Sequence, residues 1–220
     1  MKKPSLFTRP LASVALLAAL LPIAAGCPGI IEIKSKQAAS GPAKSTVPPI
    51  LYEDFEKGYQ QVSAYSNADG GASVNTGEED TVVHSGKKAM HANYKSGTGS
   101  WGCGWGIGTN YMPKSGYFNA RGTLGVELWA KAARGATFQI SVTEGKQNGG
   151  DGEVYLAAQG TGSGAWKRYF FPWDGFTRSI YSGNQAGDDH LEIGSIGGID
   201  VQIAEKQGDG TIYIDDIYFK

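Results

Sequence analysis

Sulfur and imidazole are scarce in this chain: its 220 residues hold two cysteines and three histidines. Cys27 falls in an N-terminal segment with the marks of a processing signal, which leaves Cys103 as the one other thiol and excludes a disulfide framework. Set between Gly102 and Gly104, Cys103 reads as a small packed residue rather than a nucleophile. His84, His91 and His190 are scattered without ligand spacing, which argues against zinc. Also missing are a G-x-S-x-G elbow, a phosphate-cradling Gly-x-x-x-x-Gly-Lys loop and an H-E-x-x-H helix. Gly102-Cys103-Gly104-Trp105-Gly106 is glycine-rich but lacks the strand-then-helix setting of a dinucleotide site. A basic surplus is absent too. From Ile50 to Lys220 there are 14 Lys and Arg against 20 Asp and Glu, a net charge of −6. Phosphate backbones are repelled by such a domain, and nucleic acid is excluded as a partner.

The N-terminus is a targeting signal rather than part of the fold. Lys2, Lys3 and Arg9 precede an apolar core from Leu11 to Leu21, too short for a comfortable membrane span. Ile23-Ala24-Ala25-Gly26-Cys27 then resembles a bacterial lipobox, although Ala24 stands where leucine is usual; the alternative is an ordinary cleaved secretory signal with an incidental cysteine. Acylation of Cys27 after removal of residues 1–26 would anchor the protein to a membrane. Residues 27–49 are rich in Lys, Ala, Ser, Gly and Pro with no apolar period, and read as a flexible tether. The expected location is the cell envelope, on the outer membrane of a Gram-negative bacterium, since Pro28 is not the acid associated with inner-membrane retention.

Residues 50–220 read as one domain long enough for a full core. Period-two alternation dominates: Leu124, Val126, Leu128 and Ala130 face one way, and Phe138, Ile140 and Val142 alternate with Gln139, Ser141 and Thr143. Ile199, Val201 and Ile203 likewise alternate with Asp200, Gln202 and Ala204. Thirty of the 33 glycines lie after residue 50, many in breakers such as Gly160-Thr161-Gly162-Ser163-Gly164, and no amphipathic helix is evident. The predicted fold is all-β, an antiparallel β-sandwich of the jelly-roll kind.

Paired carboxylates are the remaining route to catalysis, because glycosidases need an acid and a base or nucleophile. Glu53-Asp54-Phe55-Glu56 has the wrong spacing for the Glu-x-Asp-x-x-Glu strand of jelly-roll glucanases, and Asp188-Asp189 lies in a polar loop. No enzyme is expected. Asp54 and Glu56, two apart, should share a strand face with Phe55 buried opposite. In Ile212-Tyr213-Ile214-Asp215-Asp216-Ile217, one aspartate must face inward, which is costly unless it is paired or bound to a metal. Calcium is favoured over a metal-free hydrogen-bonded carboxylate or a salt bridge to Lys87 or Lys88.

Surface chemistry points to sugars. The domain carries 23 aromatic residues, many beside glycines or polar residues. Rings cover the apolar faces of a pyranose, and carboxylates, amides and guanidinium groups bond its hydroxyls. Candidate rings are Tyr65, Trp101, Trp105, Tyr111, Tyr117, Trp173 and Tyr181, over a floor of Gln139, Ser141, Thr143, Asp200 and Gln202. For any single aromatic, plain packing is an equal alternative.

Three segments, Leu51-Tyr52-Glu53-Asp54-Phe55-Glu56-Lys57-Gly58, Val82-Val83-His84-Ser85-Gly86-Lys87-Lys88-Ala89-Met90 and Ile212 to Phe219, together resemble the frame of the family 11 carbohydrate-binding modules. So does Trp166 to Tyr181, the late strand and the loop after it. The resemblance implies a structural Ca2+ held by Glu56, Asp215 and the backbone at Lys87. It also implies a β-glucan in a cleft, with Arg178 and Tyr181 on the family's ligand positions and Ile180 where the family has an acid. Glu144 falls among further polar contacts, with Gln147 a weaker candidate; Gln202, Trp101, Trp105 and Tyr65 complete the site. The expected protein is a lipid-anchored, monomeric, non-catalytic polysaccharide binder. The alternative is an envelope assembly protein gripping a protein partner with the same sandwich.

Overall fold

The structure is a computed structural model that describes residues 44–99, 101–108, 118–146 and 150–220. Cys27, most of the expected tether, Tyr111, Tyr117 and Gln147 lie outside the described residues. In chain order the strands are β1 (Ile50–Glu53), β2 (Gln60–Ser66), β3 (Ser73–Glu79), β4 (Ala89–Lys95), β5 (Cys103–Gly108) and β6 (Gly125–Ala132). They continue with β7 (Thr137–Glu144), β8 (Glu153–Thr161), β9 (Lys167–Pro172), β10 (Thr177–Gly183), β11 (Ile196–Ile203) and β12 (Asp209–Phe219).

The strands form two six-stranded sheets, one ordered β3-β4-β12-β6-β9 with β1 also on β12, the other β10-β8-β7-β11-β5-β2. Every pairing between these strands is antiparallel. This is the all-β antiparallel sandwich that the alternation predicts. Val126, Leu128 and Ala130 of β6, Phe138, Ile140 and Val142 of β7, and Ile199, Val201 and Ile203 of β11 all enter the core. Burial of each large apolar side chain contributes about 1.5–3 kcal/mol. Tyr52 of β1 ties the two layers together. Its hydroxyl donates to the Ile107 carbonyl (2.8 Å) and accepts from the Ile199 amide (3.3 Å). The sandwich also reaches back beyond Ile50, since the Thr46 amide donates to the Gly122 carbonyl and Ser45 Oγ to the same oxygen.

Two local expectations are corrected. β1 ends at Glu53, so Asp54 and Glu56 do not share a strand face. Phe55 turns the chain with a φ of 59°, and Glu53 Oε1 accepts from the Asp54 and Phe55 amides. Phe55 itself is buried, as expected. On β12, Asp215 pairs with Trp129 and Tyr213 with Lys131, but Tyr218 pairs with Glu127, so one extra residue bulges between. Asp216 takes up the bulge with a φ of 48°. Ile212, Ile214, Ile217 and Phe219 thereby all stay inside, and the register leaves Asp215 on the outer face with Tyr213 and Trp129. Its burial comes from the 84–88 turn, not from the core.

Candidate binding cleft

The second sheet carries a groove of about 1070 Å³ across its outer face. Its floor follows from the pleat: where Ile199, Val201 and Ile203 point inward, Asp200 and Gln202 point out. In register, Asp200 lies between Ser141 of β7 and Gly106 of β5, and Gln202 between Gln139 and Gly104. β8 adds Leu156 and Gln159, and β10 adds Ser179, Tyr181 and Ser182. Gln139 Nε2 donates to the Ala157 carbonyl (2.8 Å) and Gln202 Nε2 to the Trp101 carbonyl (3.3 Å). Burial in the floor pushes the Asp200 carboxyl up to about 6.

Aromatic rings stand at both ends. At the β2 end Tyr65 lies across Gly104, where a Cβ would fall 2.6 Å from the ring, and tilts against Trp101 at 5.9 Å between centroids. At the β10 end Tyr181 is 89% exposed, the most open of the large apolar side chains among the described residues. Ser179 Oγ accepts from the Tyr181 and Ser182 amides and braces this edge. Five strand-to-strand steps separate the ends, about 24 Å in all.

Tyr65, Trp101, Tyr181 and Gln202 thus line one groove. Four other expected ligand residues do not. Trp105 is fully buried, because Cys103, Trp105 and Ile107 occupy the inward positions of β5 and glycines the outward ones. The alternating glycines of Gly102-Cys103-Gly104-Trp105-Gly106 were the signal for this. Trp173 packs on Phe219 and donates from Nε1 to Thr123 Oγ1. Glu144 takes an inward position at the end of β7, 3% exposed, and accepts from the Asp151 and Glu192 amides. Arg178 is outside the groove lining; its guanidinium pairs with the buried Glu153 and with Asp189, and donates to the Asn184 carbonyl. Glu144, Asp151 and Glu153 form an acidic cluster that sequence reasoning missed.

At the calcium position, two carboxylates grip one turn from opposite ends. Asp215 Oδ2 accepts from the His84 and Ser85 amides, and Glu56 Oε1 from the Lys87 and Lys88 amides. A Cβ on Gly86 would sit 2.2 Å from Glu56 Oε1, so that carboxylate is pressed against the turn. The donor atoms of His84, Asp215 and Asp216 lie within 4.8 Å of one another, a cluster that does not include Glu56. His84 Nδ1 also contacts Asp216 Oδ2 at 2.7 Å, and its ring stacks on Trp129 at 3.8 Å. Both acidic clusters could hold a metal ion, and their oxygen-rich donors suit a hard cation.

A two-sheet antiparallel sandwich with a polar, aromatic-ended groove across one sheet is the architecture of a class of sugar-binding modules. Within that class the chain belongs to the family 11 carbohydrate-binding domains, whose family model matches residues 37–219. Its fold is similar to the family 11 module of the cellulosomal cellulase Lic26A-Cel5E of Clostridium thermocellum, at 22% identity and a TM-score of 0.56, covering 79% of this chain and 95% of that one. A family 11 module from Clostridium thermocellum in complex with a β-1,3-1,4-mixed-linked tetrasaccharide is also 22% identical, with a TM-score of 0.58 and coverage of 79% and 96%. The family 30 module of the cellulosomal cellulase Cel9D-Cel44B of Clostridium thermocellum shares the fold at 11% identity, a TM-score of 0.51 and coverage of 78% and 96%. No curated protein matches the chain.

Proposed function

We propose that residues 41–220 bind a β-glucan chain laid across the second sheet, without catalysing its cleavage. One observation carries this reading: Tyr181 and the Tyr65–Trp101 pair stand at opposite ends of a groove floored by Ser141, Gln139, Asp200 and Gln202. Rings at the ends cover pyranose faces, and the polar floor bonds hydroxyls. The tetrasaccharide held by a family 11 relative supports a mixed-linkage glucan as ligand. A lipid on Cys27 would hold this domain at the cell envelope, on the outer membrane, where a bound polysaccharide becomes available to enzymes carried by other proteins. Ca2+ at Asp215, with Glu56 and the Lys87 backbone, would fasten the first and last strands around the 84–88 turn; it has no part in sugar binding.

Native affinity electrophoresis of residues 41–220 through gels containing mixed-linkage β-glucan tests the reading. Retardation is expected, with Tyr181→Ala weakening it about tenfold through loss of one stacking face. Migration unchanged by every polysaccharide in the gel would overturn it. Tyr181 is so exposed that its removal leaves the fold intact, and an unaltered circular dichroism spectrum checks that.

A further inference from the structure

We infer that Asp200 makes the groove a charge filter, admitting neutral glycans and rejecting those that carry carboxylates. This rests on the glucan reading above and narrows it to a substrate class. Asp200 stands on β11, two strands in from the β2 edge and three from the β10 edge, so a chain spanning the rings must pass over it. Its neighbours in register are Ser141 and Gly106, neither of which brings a charge. Among the described residues, no Lys or Arg lines the groove, and no hydrogen bond or ion pair engages the Asp200 carboxylate. The second charged group in the lining, Glu205, is also an acid. The groove therefore offers negative charge, with no cation among the described lining residues to balance a ligand's own.

The two ligand classes meet opposite physics at this point. A neutral sugar can donate a hydroxyl hydrogen bond to the Asp200 carboxylate, and bonds to an ionised acceptor are the stronger kind. A uronate placed there brings two like charges together in a partly desolvated floor, where the repulsion costs roughly tenfold or more in affinity. Selectivity arises from that repulsion as well as from the favourable contact.

Mixed-linkage β-glucan and the same polymer oxidised at its primary hydroxyls to uronic acids form a matched pair of probes. Isothermal titration of both against the wild type, Asp200→Asn and Asp209→Asn measures the ratio of their affinities. Asp209 opens β12 in the other sheet and is exposed, so its variant changes the net charge equally without touching the groove. The expected result is at least about tenfold weaker binding of the oxidised polymer by the wild type, a gap that Asp200→Asn narrows several-fold and Asp209→Asn leaves in place. Raising the salt should shrink any general repulsion by the acidic domain more than this local one. Equal affinity for both polymers, or equal narrowing by the two variants, overturns the inference while the glucan reading stands. Failure of the wild type to bind either polymer defeats the glucan reading and the inference with it.

Discussion

Asp200 shows how one residue couples stability to pH. The floor around it disfavours the ionised form, so its carboxyl titrates near 6 in the folded protein instead of at the ordinary 3.8. Between these two values the folded state holds a proton that the unfolded chain has released. Its contribution to stability is therefore fully present below about pH 4 and is lost as pH rises through 6. Asn in its place cannot ionise. Asp200→Asn is expected to raise the melting temperature by a few degrees at pH 7 and to match the wild type at pH 4, read from thermal scans at both. A gain of equal size at both pH values would assign the effect to packing rather than to charge. A second buried group behaves quietly: burial pushes the Cys103 thiol up to about 11, which fits a packing role.

Among the elements, β5 repays the closest reading. Its inward side is Cys103, Trp105 and Ile107, while the outward side consists of glycines, which leave room above the strand on that face. Tyr65 uses that space by lying directly over Gly104. Gly104→Ala should lift the ring, because a Cβ there falls 2.6 Å from three of its atoms. The expected outcome is several-fold weaker glucan binding and altered tyrosine fluorescence, with Trp105 still buried. Unchanged affinity would mean that Tyr65 takes no part in binding. The strand pattern also marks how far the sequence could be read. Alternation put Gln139, Ser141, Thr143, Asp200 and Gln202 on one face because period two is a local property. Arg178 and Glu144 escaped local reading. Their positions depend on Glu153, Asp189 and Glu192, which are distant in sequence and reached only once the sheet and its end loops assemble. The outward turn of Asp215 escaped too, because a bulge at Asp216 reverses the parity on which the inward expectation relied.

At the scale of the whole molecule, the beginning and end of the sandwich meet along one line. β1 pairs with the last residues of β12, and the turn between β3 and β4 is clasped by Asp215 from β12 and Glu56 from just beyond β1. These contacts close the domain through carboxylate-to-amide bonds. Calcium bound at the same carboxylates would fasten the turn further to the first and last strands. Ligand binding to the native state alone stabilises by an amount set by concentration over Kd, about 2.7 kcal/mol at a hundredfold excess. A chelated domain should accordingly melt lower, and millimolar Ca2+ should restore the higher temperature. Asp215→Asn keeps the shape of the side chain and one acceptor oxygen, yet removes the charge a hard cation requires. Its melting temperature should be lower than that of the calcium-loaded wild type and indifferent to both chelator and Ca2+. Glucan retention should persist in every one of these states, since the turn packs on the opposite sheet from the groove. A wild type whose melting is unmoved by chelator and by added Ca2+ would remove calcium from the fold, leaving the turn held by its carboxylates alone and the sugar cleft as described.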